Sequence, residues 1–465
     1  MVESCNETGT TMTSTTQATA AHRRAVTKAA ALTAVGGILF GYDTGVIGGV
    51  LPNISDDFTL DTPFLQGTVV SILLVGAAVG ALVAGRVADT LGRRKAIIAT
   101  SLVFVVGLLL SIVAPAFWVL LLSRFLIGVG VGSASFVVPV YIGEIAPPER
   151  RGALVSLNQL SVTIGILVSQ LVAYFLAGSG DWRISVGLAL APAVVLGLGM
   201  VREPESPAWL VRQGRVDEAR DVLRTLRDSE DAITEEIDDI RGTATEEEKG
   251  AKRSLLAPKL RPALVLGVTL AIVQQITGVN TVIYFAPTVL ENAGLGSQAA
   301  LLALLVVGLT NVVMTIVAIK VIDRVGRRAL LIWGMSGMVL GLAGLAIAFL
   351  FDIAGAGAIA TTVVLAFYVG SFAVSLGPVV WLLISEIFPL AVRGRASSVA
   401  TMANWVANFV VAVSYLSIIA AIGETATFGL YAVITVLSLV YVVKAVPETK
   451  NRSLADIERE LSPAS

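Results

Sequence analysis

Two charged residues stand where an apolar chain has least use for them. Asp43, in "FGYDTGVIGG" (40–49), interrupts an otherwise uncharged run from Lys28 to about Leu51. Arg124, in "SRFLIGVGVG" (123–132), lies about six residues into another apolar run. A carboxylate inside a bilayer costs about 2.5–3.5 kcal/mol on insertion scales. If the first helix runs outward and the fourth inward, Asp43 is roughly 12 Å and Arg124 roughly 9 Å from the same face. At that shared depth each charge offsets the other. Parting them leaves a desolvated carboxylate that favours its protonated form, and rejoining them favours the ion. A conformational change that alternates the two states takes up and releases a proton. A structural clamp is the competing reading. Ionisable residues inside membranes are functional candidates by default, and the only histidine, His22, lies in a polar tail. Asp43 and Arg124 are therefore the candidate proton-coupling pair.

A second set is polar but uncharged. Gln159 falls in the fifth apolar span, and Gln274, Gln275, Asn280 and Tyr284 in the seventh. Asn311 is in the eighth, Phe372 and Trp381 in the tenth, Asn404 and Trp405 in the eleventh. Amides donate and accept as hydroxyl groups do, so they suit a neutral polyol. Indole faces can cover the C–H face of a sugar ring. Gln275 and Asn280 are five apart, about 140° around an ideal helix. Gly278, and Gly377–Pro378 in the tenth span, predict broken helices that turn such residues toward one cavity. Helix–helix hydrogen bonding is the alternative use of these amides.

The chain also repeats itself. "DTLGRR" (89–94) matches "DRVGRR" (323–328), and "EIAPPERRG" (144–152) matches "EIFPLAVRG" (386–394). Each motif holds the same place in its half, which predicts a duplicated six-helix bundle with a midplane site between the copies. Asp89, Arg93, Glu144 and Arg151, with Asp323, Arg327, Glu386 and Arg393, supply opposite charges at helix ends. Such pairs can form in one conformer and break in another, which is the physics of a gate. The arginines alone also satisfy the positive-inside rule.

Composition fits an integral membrane protein: 465 residues, 55% hydrophobic and 14% charged, against about 25% charged in soluble domains. No basic domain exists to bind nucleic acid, and one Cys and one His leave no metal cluster or His-based catalysis. No nucleophile–base pair appears, so an enzyme is not expected, and no cofactor is implied.

Apolar spans are expected near 27–51, 66–87, 96–116, 118–143, 154–178, 183–201, 262–290, 299–321, 329–350, 359–386, 398–420 and 425–445. They define a disordered tail (1–26), an N-terminal bundle (27–201), a linker with short amphipathic helices broken at Gly214 (202–258), a C-terminal bundle (259–445) and a tail (446–465). "TEEEKGAKR" reads as a solvated stretch of that linker. Lys and Arg favour alternate loops, except the short "GSGDWR", which places both termini and the linker in the cytoplasm. The N-terminus is not read as a signal peptide.

At this point the chain resembles the sugar-porter branch of the major facilitator superfamily over nearly all of 27–455. The resemblance rests on "GRVADTLGRRK", "RFLIGVGVG", "VPVYIGEIAPPERRG", "PESPAWL", "QQITGVN", "GPVVW", "NWVANF" and "VPETKNRSL". It implies alternating access of two bundles in a cell membrane, working as a monomer. It implies sugar binding by Gln159, Gln274, Gln275, Asn280, Asn311, Trp381 and Asn404, with Trp405 and Phe372 lining the cavity. Asp43 and Arg124 match the pair of bacterial sugar–proton symporters, and animal facilitative carriers typically have Asn at Asp43 and Glu at Ala373. The expected function is proton symport of a hexose or pentose. A passive uniporter, an inositol carrier and a sugar-sensing receptor are the alternatives.

Overall fold

A computed structural model describes residues 7–147, 150–251, 255–258, 260–351, 356–389, 392–450, 452, 456 and 460. Cys5 and much of the C-terminal tail lie outside them. The first half comprises α1 (Glu7–Phe58), α2 (Pro63–Leu91), α3 (Arg93–Ile112), α4 (Phe117–Ile145), α5 (Arg151–Leu176), and a sixth crossing made of α6 (Trp182–Gly187) and α7 (Leu190–Met200). The linker holds α8 (Pro207–Arg212), α9 (Val216–Leu226) and α10 (Glu230–Ala251). The second half comprises α11 (Arg261–Ile276), α12 (Val279–Asn292), α13 (Ser297–Val325), α14 (Arg327–Leu350), α15 (Ala356–Val374), α16 (Leu376–Ile387) and α17 (Arg393–Ala445).

Eleven of the helical segments among the described residues are long and apolar enough to cross a membrane. The last has 53 residues and bends at Gly423 (φ 78°, ψ 167°). At 1.5 Å per residue it is about 80 Å long, more than twice a hydrocarbon core of about 30 Å. It therefore supplies two crossings, and the expected six plus six holds.

Three expectations are corrected. Helix, in place of the disordered segment expected over 1–26, extends down to Glu7, because the Thr/Ala-rich stretch after Gly9 contains neither Gly nor Pro. α10 likewise runs on through most of the stretch read as a solvated linker, ending at Ala251. The tenth crossing breaks at Ser375 (φ −124°, ψ −97°), two residues before the predicted Gly377. Pro378 lacks an N–H and its ring crowds the preceding turn, so the distortion falls upstream of it.

Close helix approach sets the site's frame. A Cβ on Gly128 would lie 2.0 Å from the Leu73 carbonyl oxygen, and one on Gly132 1.9 Å from that of Ala77. The α2 and α4 backbones thus touch where only hydrogen fits, as small residues permit in membranes. This contact carries Arg124 to α2, where its Nε–H donates to the Val69 carbonyl at 3.4 Å. Between the halves, α1 packs on α12, α2 on α17 and α5 on α13. A Cβ on Gly48 would lie 2.7 Å from the Tyr284 carbonyl, and one on Gly67 3.0 Å from that of Val413. Both contacts lie toward the end away from the linker.

Arg183, the exception to the loop-charge pattern, is neutralised locally. Its guanidinium sits 2.6 Å from Asp57 and 4.4 Å above the Trp182 ring.

Candidate functional site

Asp43 and Arg124 meet as the sequence predicts. Arg124 Nη1 donates to Asp43 Oδ1 at 2.6 Å, and the residues are 4% and 2% exposed. Asp43 Oδ2 is buried with no hydrogen-bond partner among the described residues. A buried ion pair with an unsatisfied lone-pair side is expensive to keep for packing alone.

The amides assemble around two helix breaks. Gly278 (φ 86°) ends α11 and starts α12, a left-handed conformation glycine adopts without a Cβ penalty. The break removes the 140° mismatch, and Asn280 Nδ2 donates to Gln275 Oε1 at 2.7 Å. Gln275 Nε2 donates to Gln274 Oε1 at 3.3 Å and to Asn404 Oδ1 at 3.2 Å. Asn404 Nδ2 donates to the Ala271 carbonyl and to Gln274 Oε1, both at 2.8 Å. Gln274 Nε2 donates to the Leu376 carbonyl at 2.8 Å and the Gly377 carbonyl at 3.3 Å.

An amide has two donors and two acceptor sites, so these bonds can be tallied residue by residue. Gln274 is saturated and anchors the start of α16, just past the Ser375 break. Gln275 and Asn404 each keep one free lone pair. Asn280, half-buried, keeps one N–H and its whole carbonyl oxygen free. Asn280 keeps the most free hydrogen-bonding capacity of the four.

Other candidates are placed less centrally. Trp405 is buried with its ring 5.8 Å from that of Phe40, across the two halves, and its Nε1 has no partner among the described residues. Trp381 is 37% exposed, and Phe372 packs near Gly377. Gln159 is half-buried and Asn311 buried, and neither hydrogen-bonds to the amide cluster. Tyr284 is not joined to that cluster either; its hydroxyl accepts from Asn408 Nδ2 at 3.4 Å.

The charged motifs build two copies of one device on the linker side. In the first, Arg93 sits 3.0 Å from both Asp89 and Glu144. In the second, Arg327 sits 3.1 Å from Asp323 and 3.0 Å from Glu386. Gly92 (φ 96°) and Gly326 (φ 101°) turn the chain between helices. Arg151 differs from expectation: it is exposed and joins no ion pair among the described residues, since Glu144 is engaged by Arg93. Arg393 Nε donates to the Phe388 carbonyl at 3.2 Å.

The sequence reading missed half of this device. Glu205 Oε1 accepts from the Arg94 backbone N–H at 3.0 Å, and the Ser206 hydroxyl donates to Glu144. In the second half Glu448 accepts from the Arg327 and Arg328 N–H groups at 3.0 and 3.1 Å, and the Thr449 hydroxyl donates to Glu386 at 2.5 Å. Each glutamate caps the N-terminus of the third helix of its half, where negative charge is favoured. The available signal was Pro-Glu-Ser (204–206) recurring as Pro-Glu-Thr (447–449) after each half's last helix.

Burial pushes the Glu448 carboxyl up, but the N–H groups of Lys450, Arg327, Arg328 and Thr449 together outweigh it and hold it below the ordinary glutamate range. A depressed folded value means the stabilisation is complete above the unfolded value, about 4.3, and is lost as pH falls through the folded one. Thermal melts in detergent check this. Wild type is expected to melt above Glu448→Gln at pH 7, and the gap is expected to close at acid pH.

Residues 29–461 match the family described as "Sugar (and other) transporter". The chain belongs to the sugar-porter family. The D-xylose transporter of Levilactobacillus brevis is 40% identical over 431 residues, 92% of this chain and 94% of that protein. The galactose-proton symporter of Escherichia coli strain K12 is 40% identical over 433 residues, 92% and 93% of the two chains. The partially occluded inward-open form of the E. coli xylose transporter XylE superposes with a TM-score of 0.83 at 30% identity, covering 92% of this chain and 99% of that one. This sugar porter is thus a multi-pass membrane transporter of the major facilitator fold and not an enzyme.

Proposed function

We propose that this sugar porter imports a monosaccharide, hexose or pentose, together with a proton, by alternating exposure of a site between its two halves. The observation that carries this is the buried 2.6 Å Asp43–Arg124 pair with one carboxylate oxygen left free. A passive carrier has no need of a buried acid whose charge costs stability. The relatives named for D-xylose and for galactose with protons support the class and leave pentose against hexose open.

In this reading Asn280, Gln275 and Asn404 face the sugar, Gln274 holds the helix break, and Trp381, Trp405 and Phe372 cover the ring, with Gln159 and Asn311 flanking. The Arg93 and Arg327 clusters bias the two conformers on the linker side. In the same reading the protein sits in the cell membrane with the linker and both termini cytoplasmic, an orientation that the loop-charge pattern supports. One copy of the bundle suffices, since both halves of the site come from one chain.

The test is uptake of labelled hexoses, pentoses and inositol into proteoliposomes, with and without an imposed proton gradient. One monosaccharide is expected to accumulate above its external concentration only with the gradient, and to lose that excess on adding an uncoupler. Equilibration without excess under both conditions would make this a uniporter.

A further inference from the structure

Tyr284 lies apart from the amide cluster, on α12 where it packs against α1, the helix that carries Asp43. Tyr284 is 4% exposed and within electrostatic reach of both Asp43 and Arg124. Its backbone packs against Gly48, five residues past Asp43 on α1. Its hydroxyl oxygen accepts from Asn408, which leaves the phenolic hydrogen to be donated elsewhere. Among the described residues three buried acceptor oxygens lack a donor, Gln170 Oε1, Asn408 Oδ1 and Asp43 Oδ2, and of these only Asp43 Oδ2 belongs to a carboxylate.

Three groups close to Asp43 in the first half are already engaged. Tyr42, its chain neighbour, donates to the Ser185 carbonyl at 2.6 Å. Ser169 on α5 donates to the Ile166 carbonyl at 2.7 Å. Arg124 on α4 serves Oδ1. Tyr284 is a buried hydroxyl of the opposite half whose hydrogen is uncommitted; Ser71 on α2 and Tyr415 on α17 are further buried hydroxyls without a partner among the described residues.

Asn408 ties the phenol to the sugar side. It stands four residues after Asn404 on α17, so the two share one face of that helix. Asn404 in turn holds Gln274 and Gln275. Hydrogen bonds and one helical turn thus run from Asn280 through Gln275, Asn404 and Asn408 to Tyr284.

We propose that Tyr284 is a positioning residue for the proton site, its phenol donating to the free oxygen of Asp43 as the halves rock, with Asn408 holding it in step with the amides. A donor to the carboxylate favours its ionised form. Tyr284 therefore eases proton release in the conformer where it reaches Asp43, and sugar bound at the amides governs that reach.

The inference rests on the symport reading, and the test separates the two. Wild type, Tyr284→Phe, Asn408→Ala and Asp43→Asn are reconstituted, and gradient-driven uptake and sugar counterflow are each followed against pH. A hydrogen bond to a charged group, removed, moves the midpoint of net uptake to higher pH by about one unit. Tyr284→Phe is expected to show that shift with counterflow retained, and Asn408→Ala a smaller shift the same way. A Tyr284→Phe midpoint that coincides with wild type overturns the inference. If Tyr284→Phe fails to bind sugar, Asn408→Ala carries the test, and an unmoved midpoint there overturns it. Asp43→Asn that still accumulates sugar overturns the symport reading instead.

Discussion

Asp43→Asn is expected to abolish uphill sugar accumulation while sparing exchange of internal for external sugar. Asparagine keeps the size of the acid and an oxygen that accepts from Arg124, so the 2.6 Å contact has a neutral substitute. It cannot bind or lose the proton. The variant therefore resembles the permanently protonated carrier, able to turn over with sugar bound on both faces and unable to return proton-free. The accumulation ratio should fall to that of passive equilibration. Leaving Arg124 without a full counter-charge is costly, since breaking a buried pair costs about 3–5 kcal/mol. The retained oxygen offsets part of that cost, and a lowered melting temperature is the accompanying expectation. Arg124→Leu, which leaves the buried acid without a cation, should be the less stable of the two.

Gln275→Leu is expected to weaken sugar binding most among the amides. Gln275 joins three partners, Gln274, Asn404 and Asn280, and orients the one side chain with most free hydrogen-bonding capacity. Leucine of similar volume keeps the packing and leaves the Asn280 N–H and Asn404 oxygen without their partner. Unsatisfied buried polar groups cost about 1–3 kcal/mol each, and a loss of that size in binding corresponds to a rise of about 5- to 150-fold in KM for the transported sugar. Gln274→Leu should act differently. Its bonds go to the Leu376 and Gly377 carbonyls at the helix break, so its loss should lower stability as well as affinity. Concentration dependence of counterflow, read beside thermal melts, separates the two effects.

Much of the architecture was legible because the bilayer forbids most alternatives. Every backbone polar group there must be paired within a helix, so apolar runs and loop charges define the crossings, and D-x-x-G-R-R and E-I-x-P-x-x-x-R-G reveal the duplication. The depth of Asp43 and Arg124 followed from helix rise alone, and their 2.6 Å contact agrees with it. The turning of Gln275 and Asn280 toward one cavity was expected from a break at Gly278, and their 2.7 Å hydrogen bond is what the structure adds.

What escaped the sequence was partner choice. Glu144 has Arg151 near it in sequence and Arg93 near it in space. Linear distance says nothing about which helix end lies beside which. The Glu205 and Glu448 caps escaped because a surface glutamate in a Pro-rich turn looks solvated until a helix N-terminus is brought onto it. Tyr284 was grouped with the amides by its place in the seventh span, whereas past the Gly278 break its hydroxyl meets Asn408.

The central claim is that sugar and proton cross together on Asp43. Sugar added to lightly buffered vesicles holding the wild-type protein should carry protons inward, about one per sugar for a single carboxyl group, and none through Asp43→Asn. Sugar entry with no change in external pH, or an equal change in the variant, would contradict it.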